Sequence, residues 1–334
     1  MKRILLAIAI SIIGLPSAWA DISADEIDQA AADVQPQVVE WRRWFHQNPE
    51  LSNREFNTSK RIVEILREMG LEPKTGIAHT GVTALIEGGK PGPLVAIRTD
   101  IDALPVTEQT GLPFASTARA EYNGQEVGVM HACGHDAHMA MLLGAAKVLN
   151  DMKAELPGSV LLIFQPAEEG PPMGEDGGAS MMLDDGIFAE RMPEAVFGMH
   201  VGIGVPGGQF AVKPGPLMAA ADTFRIAVTG KQTHGARPWD GVDPIVVSSQ
   251  IVLALQTIVS RQVDVTKAPS VISFGRISGG IRNNVIPDRV EMEGTIRTFD
   301  EEMRAYIHAA IERNARLIAE AAGAGAEVEI DRGT

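Results

Sequence analysis

Apolar and polar positions change rhythm several times along the chain. From Ile4 to Leu15 the sequence is an apolar run, preceded by Lys2 and Arg3 and followed by "SAWA", with small residues at Ala18 and Ala20. That order predicts a secretory signal peptide over residues 1–20, cleaved after Ala20, and hence a periplasmic or secreted mature protein. The run is too short to span a bilayer, and no later segment reads as long and apolar enough to do so. Residues 36–69 have helical periodicity, broken near "HQNPELS" by Pro49 and Ser52; a second helical stretch around Thr58–Met69 stops at Gly70.

After Gly70 short apolar runs alternate with helical segments: "VTALIEG", "LVAIRTD", the helix "AHMAMLLGAAKVLNDM", "SVLLIFQPAEEG" and "AVFGMHV". Such alternation predicts an α/β domain around a largely parallel, buried sheet. Three of these strands end in residues with ligand chemistry: Asp100 and Asp102 after "LVAIR", Glu168 and Glu169 after "VLLIF", and His200 after "AVFGM". Open α/β sheets bind their ligands beyond the carboxyl ends of the strands. The three ends therefore point toward one crevice.

From about Pro214 the pattern becomes that of a second domain. "DTFRIAVTG" reads as a strand, and "DPIVVSSQIVLALQTIVSRQ" as a helix with Asp243 as N-cap and Pro244 at its first position. "SVISFGRISG" and "RVEMEGTIRTF" alternate as strands, a long amphipathic helix follows Asp300, and "AEVEI" closes the series. The order β-α-β-β-α-β is ferredoxin-like. The expected organisation is a signal peptide over 1–20, a first domain over 21–213 and an α+β unit over 214–334.

Charge narrows the partners. The formal net charge is −14, and −16 once Lys2 and Arg3 leave with residues 1–20. An acidic chain lacks the clustered Lys and Arg that phosphate contacts need, which argues against nucleic acid. The chain is long enough for two domains, each with its own core.

The chemistry concentrates in "MHACGHDAHM", where the only cysteine, Cys133, stands among His131, His135, Asp136 and His138. One cysteine cannot pair within its own chain, so Cys133 is a bystander, a nucleophile, a metal ligand or an intermolecular link. A thiolate and an imidazole either side of Gly134 suit Zn²⁺ and its neighbours in softness, and favour a metal. Asp136 is expected to cap the following helix, and His131 and His138 to lie on the surface or behind the ligands. Neighbouring side chains diverge, so Glu169 is expected to face a metal while Glu168 stays free as general base. Of Asp100 and Asp102, one is expected to support a ligand by hydrogen bonding. A rival reading makes Cys133 a nucleophile with His135 or His138 as base; it leaves Glu168, Glu169 and His200 unused. In the second domain, His234 lies in a Gly-rich loop, and Arg297 is either an exposed strand residue or a grip for a substrate carboxylate.

Taken together, "RTDIDALP", "MHACGHDAHM", "QPAEEG", "GMH", "THGARPWDGVDPI" and "NNVIPDRVEMEGTIRTFD" resemble the M20 metallopeptidase family, in its branch of N-acyl-amino-acid amidohydrolases that includes hippurate and indole-3-acetyl-amino-acid hydrolases. The resemblance implies a catalytic domain with two divalent metal ions (Zn, Mn, Co or Ni) and a ferredoxin-like lid that also dimerises. It implies Cys133, His135, Glu169 and His200 as ligands, with Cys133 bridging; Glu168 as general base; and Asp102 in support. It implies that His234 reaches the partner subunit's site to steady the oxyanion, and that Asn284 and Arg297 hold the substrate's polar end. The family pattern continues past the lid to a last metal-binding histidine, a return segment that a chain ending at Thr334 lacks; His308, mid-helix in the lid, is no substitute. The expected activity is hydrolysis of an N-acyl amino acid by a homodimer. The alternatives are an inactive metal-binding or dimerising remnant and a metal-independent Cys–His hydrolase.

Overall fold

The structure is a computed structural model that describes residues 22–172 and 174–333, so the signal peptide read at 1–20 lies outside the described residues. The chain divides between Gly204 and Val205 into two compact units.

The first unit runs α1 (Ala24–Gln47), α2 (Phe56–Glu68), β1 (Lys74–Ile77), β2 (Gly81–Glu87), β3 (Lys90–Asp100), β4 (Arg119–Tyr122), β5 (Gln125–Gly128), α3 (His135–Asp151), β6 (Pro157–Gln165), α4 (Gly178–Asp184) and β7 (Ala195–Gly198). Helix α1 starts earlier than its periodicity suggested. Ser23 and Glu26 form a reciprocal cap at its N-terminus, and Pro36 is accommodated inside it. The five-stranded sheet has the order β1-β2-β6-β3-β7. Its centre is parallel, β3 pairing with both β6 and β7, and β2 and β1 extend it antiparallel. Strand β6 is apolar on both sides because both sheet faces are covered. Leu162 and Phe164 join Phe45, Leu66, Met139 and Leu143 from the three long helices in one core, and Ile163 packs with Ala78, Ala96 and Met182 on the other side. Since β3, β6 and β7 are parallel, their carboxyl ends lie at one edge of the sheet.

The second unit contains β8 (Ala220–Thr229), β9 (Thr233–His234), α5 (Pro244–Thr257), β10 (Ser270–Gly279), β11 (Val285–Ile286), β12 (Arg289–Thr298), α6 (Glu301–Ala321) and β13 (Gly325–Asp331). Its antiparallel sheet has the order β10-β12-β8-β13, the ferredoxin-like arrangement. Strict alternation in β8 sends Phe224, Ile226 and Val228 toward Ile251, Leu255, Ile307 and Ile311 of the two helices. Asp243 caps α5 by accepting from the Ile245 and Val246 amides, with Pro244 in the first turn. One expectation is corrected here. The helical run Pro244–Gln262 is long and apolar enough, by length and composition, to cross a membrane. In this fold its Val247, Ile251, Leu255 and Ile258 form the core of the second unit.

Candidate metal centre

Three chain segments meet beyond the carboxyl ends of β3, β6 and β7. The first is the turn before α3. Gly134 sits at the N-cap position with φ 92°, and a Cβ there would lie 2.3 Å from Val201 Cγ2. Only glycine takes this backbone easily, and it lets Cys133 and His135 face the same space from opposite sides of one residue. Asp136 does not cap α3, contrary to expectation: the cap has no side-chain bond, and the buried Asp136 carboxylate accepts from Arg42 Nε at 2.7 Å and His46 Nδ1 at 2.8 Å. Those bonds tie the start of α3 to α1.

The imidazole of His135 is the centre of the site. Its Nδ1 lies 2.8 Å from the Asp102 carbonyl and 3.3 Å from Asp102 Oδ1, so Nδ1 donates and Nε2 points the other way. Nε2 is buried and has no hydrogen-bond partner. Asp100 Oδ2, Glu168 Oε2 and Glu169 Oε1 each stand 3.7 Å from it. Both glutamates therefore reach one imidazole, which corrects the expectation that adjacent side chains must diverge. The physical reason is the backbone: Ala167, at φ 48°, breaks the strand geometry on which that expectation rested.

Cys133 Sγ lies 3.2 Å from His200 Nε2, and His200 Nδ1 donates to the Val201 carbonyl at 2.7 Å. Cys133, His135 and His200 form one cluster able to hold a metal ion, and His135, Glu168 and Glu169 form a second that shares His135. Asp100, His135 and His138 also come together. His138, however, uses both nitrogens already, accepting from the Val201 amide at 2.9 Å and donating to Asp100 Oδ1 at 2.7 Å. His138 is thus a hydrogen-bonded brace between Asp100 and the Val201 amide, and His135 takes no part in those bonds. His131 and His138 are both buried, so neither is a surface residue. Asp102, fully buried, accepts at Oδ2 from Ser52 Oγ (2.7 Å) and the Glu169 amide (3.0 Å), linking the ends of β3 and β6.

Electrostatics describe a site short of positive charge. Burial, reinforced by Glu169 and Glu168, pushes the Cys133 thiol up to about 12. Burial disfavours protonation of His135, but its bond to Asp102 and the charges of Asp100 and Glu168 outweigh that and push it up to about 9. Burial raises Glu169, and burial drives His131 down to about 4. Burial and the nearby carboxylates thus hold the proton on the thiol, and the carboxylates hold one on the imidazole, where a divalent cation would displace them. A thiol, imidazoles and carboxylates around a buried, unpartnered Nε2 fit a metal ion of the Zn²⁺ type.

The remaining candidates belong to the second unit. His234 pairs across β9–β11 with Val285, its Nδ1 accepts from the Ala236 amide at 3.1 Å, and the Gly235 amide donates to the Asn284 carbonyl at 2.9 Å. His234 and Asn284 are thus neighbours on one small ladder. Arg297 is on β12, its guanidinium donating to the Ile296 carbonyl at 3.0 Å and to the Thr295 hydroxyl. His308 is on α6, bonded to Asp222 at 2.7 Å. Sequence reasoning missed the segment Glu50–Glu55. It read there only a helix break, yet Ser52 bonds Asp102, Asn53 bonds Glu175 and the Asp176 carbonyl, and Glu55 bonds Ala167.

Comparison with known proteins agrees with this geometry. Residues 96–329 match the profile described as "Peptidase family M20/M25/M40". The chain is 42% identical over 306 residues to thermostable carboxypeptidase 1 of Saccharolobus solfataricus, covering 91% of this chain and 74% of that one. It is 39% identical over 312 residues to the N-acyl-L-amino acid amidohydrolase of Geobacillus stearothermophilus, covering 93% and 80%. The crystal structure of Bacillus subtilis YXEP protein, described as a dinuclear metal-binding peptidase of the M20 family, superposes with a TM-score of 0.73 at 40% identity, over 90% of this chain and 75% of that one. The chain belongs to the M20 peptidase family and is a metal-dependent hydrolase of carbon–nitrogen bonds, its cofactors divalent metal ions.

Proposed function

We propose that the protein hydrolyses the amide bond of N-acyl amino acids, with Cys133, His135, Glu169 and His200 as metal ligands and Glu168 as the proton carrier. The observation that carries this reading is His135 Nε2: buried, without a hydrogen-bond partner, and 3.7 Å from carboxylate oxygens of Glu168 and Glu169. Relatives named for carboxypeptidase and N-acyl-amino-acid amidohydrolase activity support the substrate class. A C-terminal peptide bond and an N-acyl amino acid share an amide whose nitrogen belongs to an amino acid with a free carboxylate.

When bound, divalent ions supply Lewis-acid polarisation of the scissile carbonyl and lower the pKa of water. Glu168 takes a proton from the attacking water and returns it to the departing nitrogen. Asp102 holds His135 Nδ1–H so that Nε2 faces the site, and bonds the Glu169 amide. His234 is assigned to the oxyanion, reached from a second copy, and Asn284 and Arg297 to the substrate's polar end. The second copy pairs through the second unit. That assignment is supported by the exposed Ile245, Val246 and Leu253 on α5 and by β10, an edge strand exposing Val271 and Ile277. The signal-like segment before Asp21 supports export to the periplasm or beyond.

Replacing Glu168 with Gln is expected to lower kcat on N-acyl amino acids such as hippurate by about 10²–10⁴-fold, with metal content unchanged. Near-wild-type turnover in that variant removes Glu168 from the proton path. Full activity after metal depletion, with loss in Cys133→Ser, would instead establish a thiol hydrolase. A single species of monomer mass in light scattering would remove the second copy from the scheme.

A further inference from the structure

We propose that Glu55 is a positioning residue for the site: its carboxylate fixes the left-handed turn at Ala167 and thereby sets the direction in which Glu168 and Glu169 leave the sheet. The inference rests on the roles proposed above for those two glutamates.

Three observations converge on it. Ala167 holds φ at 48°, a region disfavoured for any residue with a Cβ, so something must retain it there. Glu55 does so from 112 residues away in sequence: its Oε1 accepts the Ala167 amide at 2.9 Å, and its Oε2 accepts the Thr80 hydroxyl at 2.7 Å. Glu55 is wholly buried and spends both oxygens on these two bonds. The turn then closes by a bond from the Gly170 amide to the Ala167 carbonyl at 3.3 Å. On its far side it is walled in, since a Cβ on Gly177 would stand 3.2 Å from Ala167 Cβ, and one on Gly178 would stand 3.1 Å from the Ala167 carbonyl oxygen.

The position of Glu55 in its own element strengthens the case. It occupies the N-cap position of α2, where a short polar side chain ordinarily accepts the first free amides, yet it makes no cap bond. Glu50 does that work, its carboxylate accepting from the Asn57 and Thr58 amides at 3.2 and 2.8 Å. One glutamate caps the helix from outside, and the other is left to face the turn. A buried carboxylate costs free energy unless it is hydrogen-bonded, and the bonds that offset this cost are the ones to the Ala167 amide and the Thr80 hydroxyl.

The test compares Glu55→Gln, Glu55→Asp and Glu55→Ala with the wild type. Glutamine keeps a carbonyl for the Ala167 amide and turns its own amide toward the Thr80 hydroxyl. Aspartate keeps the charge but withdraws the acceptor by one methylene. Far-UV circular dichroism and melting establish folding, Co²⁺ titration followed by its visible absorption reads the metal site without substrate, and hippurate hydrolysis gives kcat and KM. E55Q is expected within about threefold of wild type in every measurement. E55D and E55A are expected to bind Co²⁺ about 10–100-fold more weakly, with altered absorption bands, and to lose kcat by a similar factor while KM changes little. Wild-type Co²⁺ binding and kcat in folded E55D or E55A overturns the proposal. So does an E55Q as impaired as E55D, or failure of both E55D and E55A to fold beside a native E55Q, which makes Glu55 a determinant of folding only. If the wild type cleaves no N-acyl amino acid, the substrate assignment falls while the Co²⁺ titrations still decide the role of Glu55.

Discussion

At Gly134 one missing Cβ decides whether Cys133 and His135, the proposed ligands, can face the same space. With φ at 92° and Val201 Cγ2 2.3 Å from where a Cβ would be, Gly134→Ala must strain the backbone and displace Val201. The expected cost is about 1–3 kcal/mol, seen as a lower melting temperature, with weaker Co²⁺ binding because Cys133 and His135 no longer converge. Unchanged affinity in that variant would show that the turn tolerates another path. The ligand types in "ACGHD" were legible because thiolate and imidazole so close together have few other uses. Ser52 and Glu55 were not. Their chemistry is ordinary, and their bonds reach Asp102 and Ala167, 50 and 112 residues further on.

Among the elements, β8 and α6 are pinned by one buried carboxylate. Asp222 is fully buried and accepts from Arg304 Nε at 2.9 Å, from Arg304 Nη2, from His308 Nε2 at 2.7 Å, and from the Gly333 amide at 3.0 Å just beyond β13. Arg304 also reaches Glu301, one turn earlier in α6, to which Arg332 is bonded as well. Burial raises the Asp222 carboxyl, but the bonds from Arg304 and His308 outweigh burial and hold it below the usual range. A depressed carboxyl stabilises the fold fully above its unfolded pKa of about 3.9 and loses that contribution as pH falls through the lower folded value. Melting of the second unit is therefore expected to fall in the acid range, below roughly pH 5. In Asp222→Asn this acid loss should be flatter. At pH 7 the variant should be less stable by about 3 kcal/mol, since Arg304 loses its buried counter-charge. Equal acid slopes in denaturant melts of the two proteins would sink the assignment. Element types and order were largely readable from periodicity and caps, Asp243–Pro244 above all. The start of α1 was missed: helical periodicity was read only from residue 36, whereas the cap is at Ser23 and Glu26.

For the whole molecule, each of the two compact units has an apolar core of its own, and two melting transitions are expected. One core gathers Phe45, Leu66, Leu143 and Phe164, the other Phe224, Ile251, Leu255 and Ile307. The proposed ligands Cys133, His135, Glu169 and His200 all belong to the first unit. Scanning calorimetry of the metal-loaded protein is expected to show two transitions, and a chelator to lower only one. The loss should be about 2.7 kcal/mol or more if the ion is present at a hundred times its Kd. A chelator that shifts both transitions equally, or neither, contradicts that assignment. The sequence by itself determined the principal strands and helices, their α/β and ferredoxin-like order, and the residue types of the candidate metal chemistry, because periodicity, caps and ligand softness are local properties. Only the tertiary structure decided that Glu168 and Glu169 converge on one imidazole, that His138 is a brace with both nitrogens used, and that Glu55 holds Ala167. Direction and distance between residues far apart in sequence are fixed by parallel strand ends and packed turns, and no local pattern contains them.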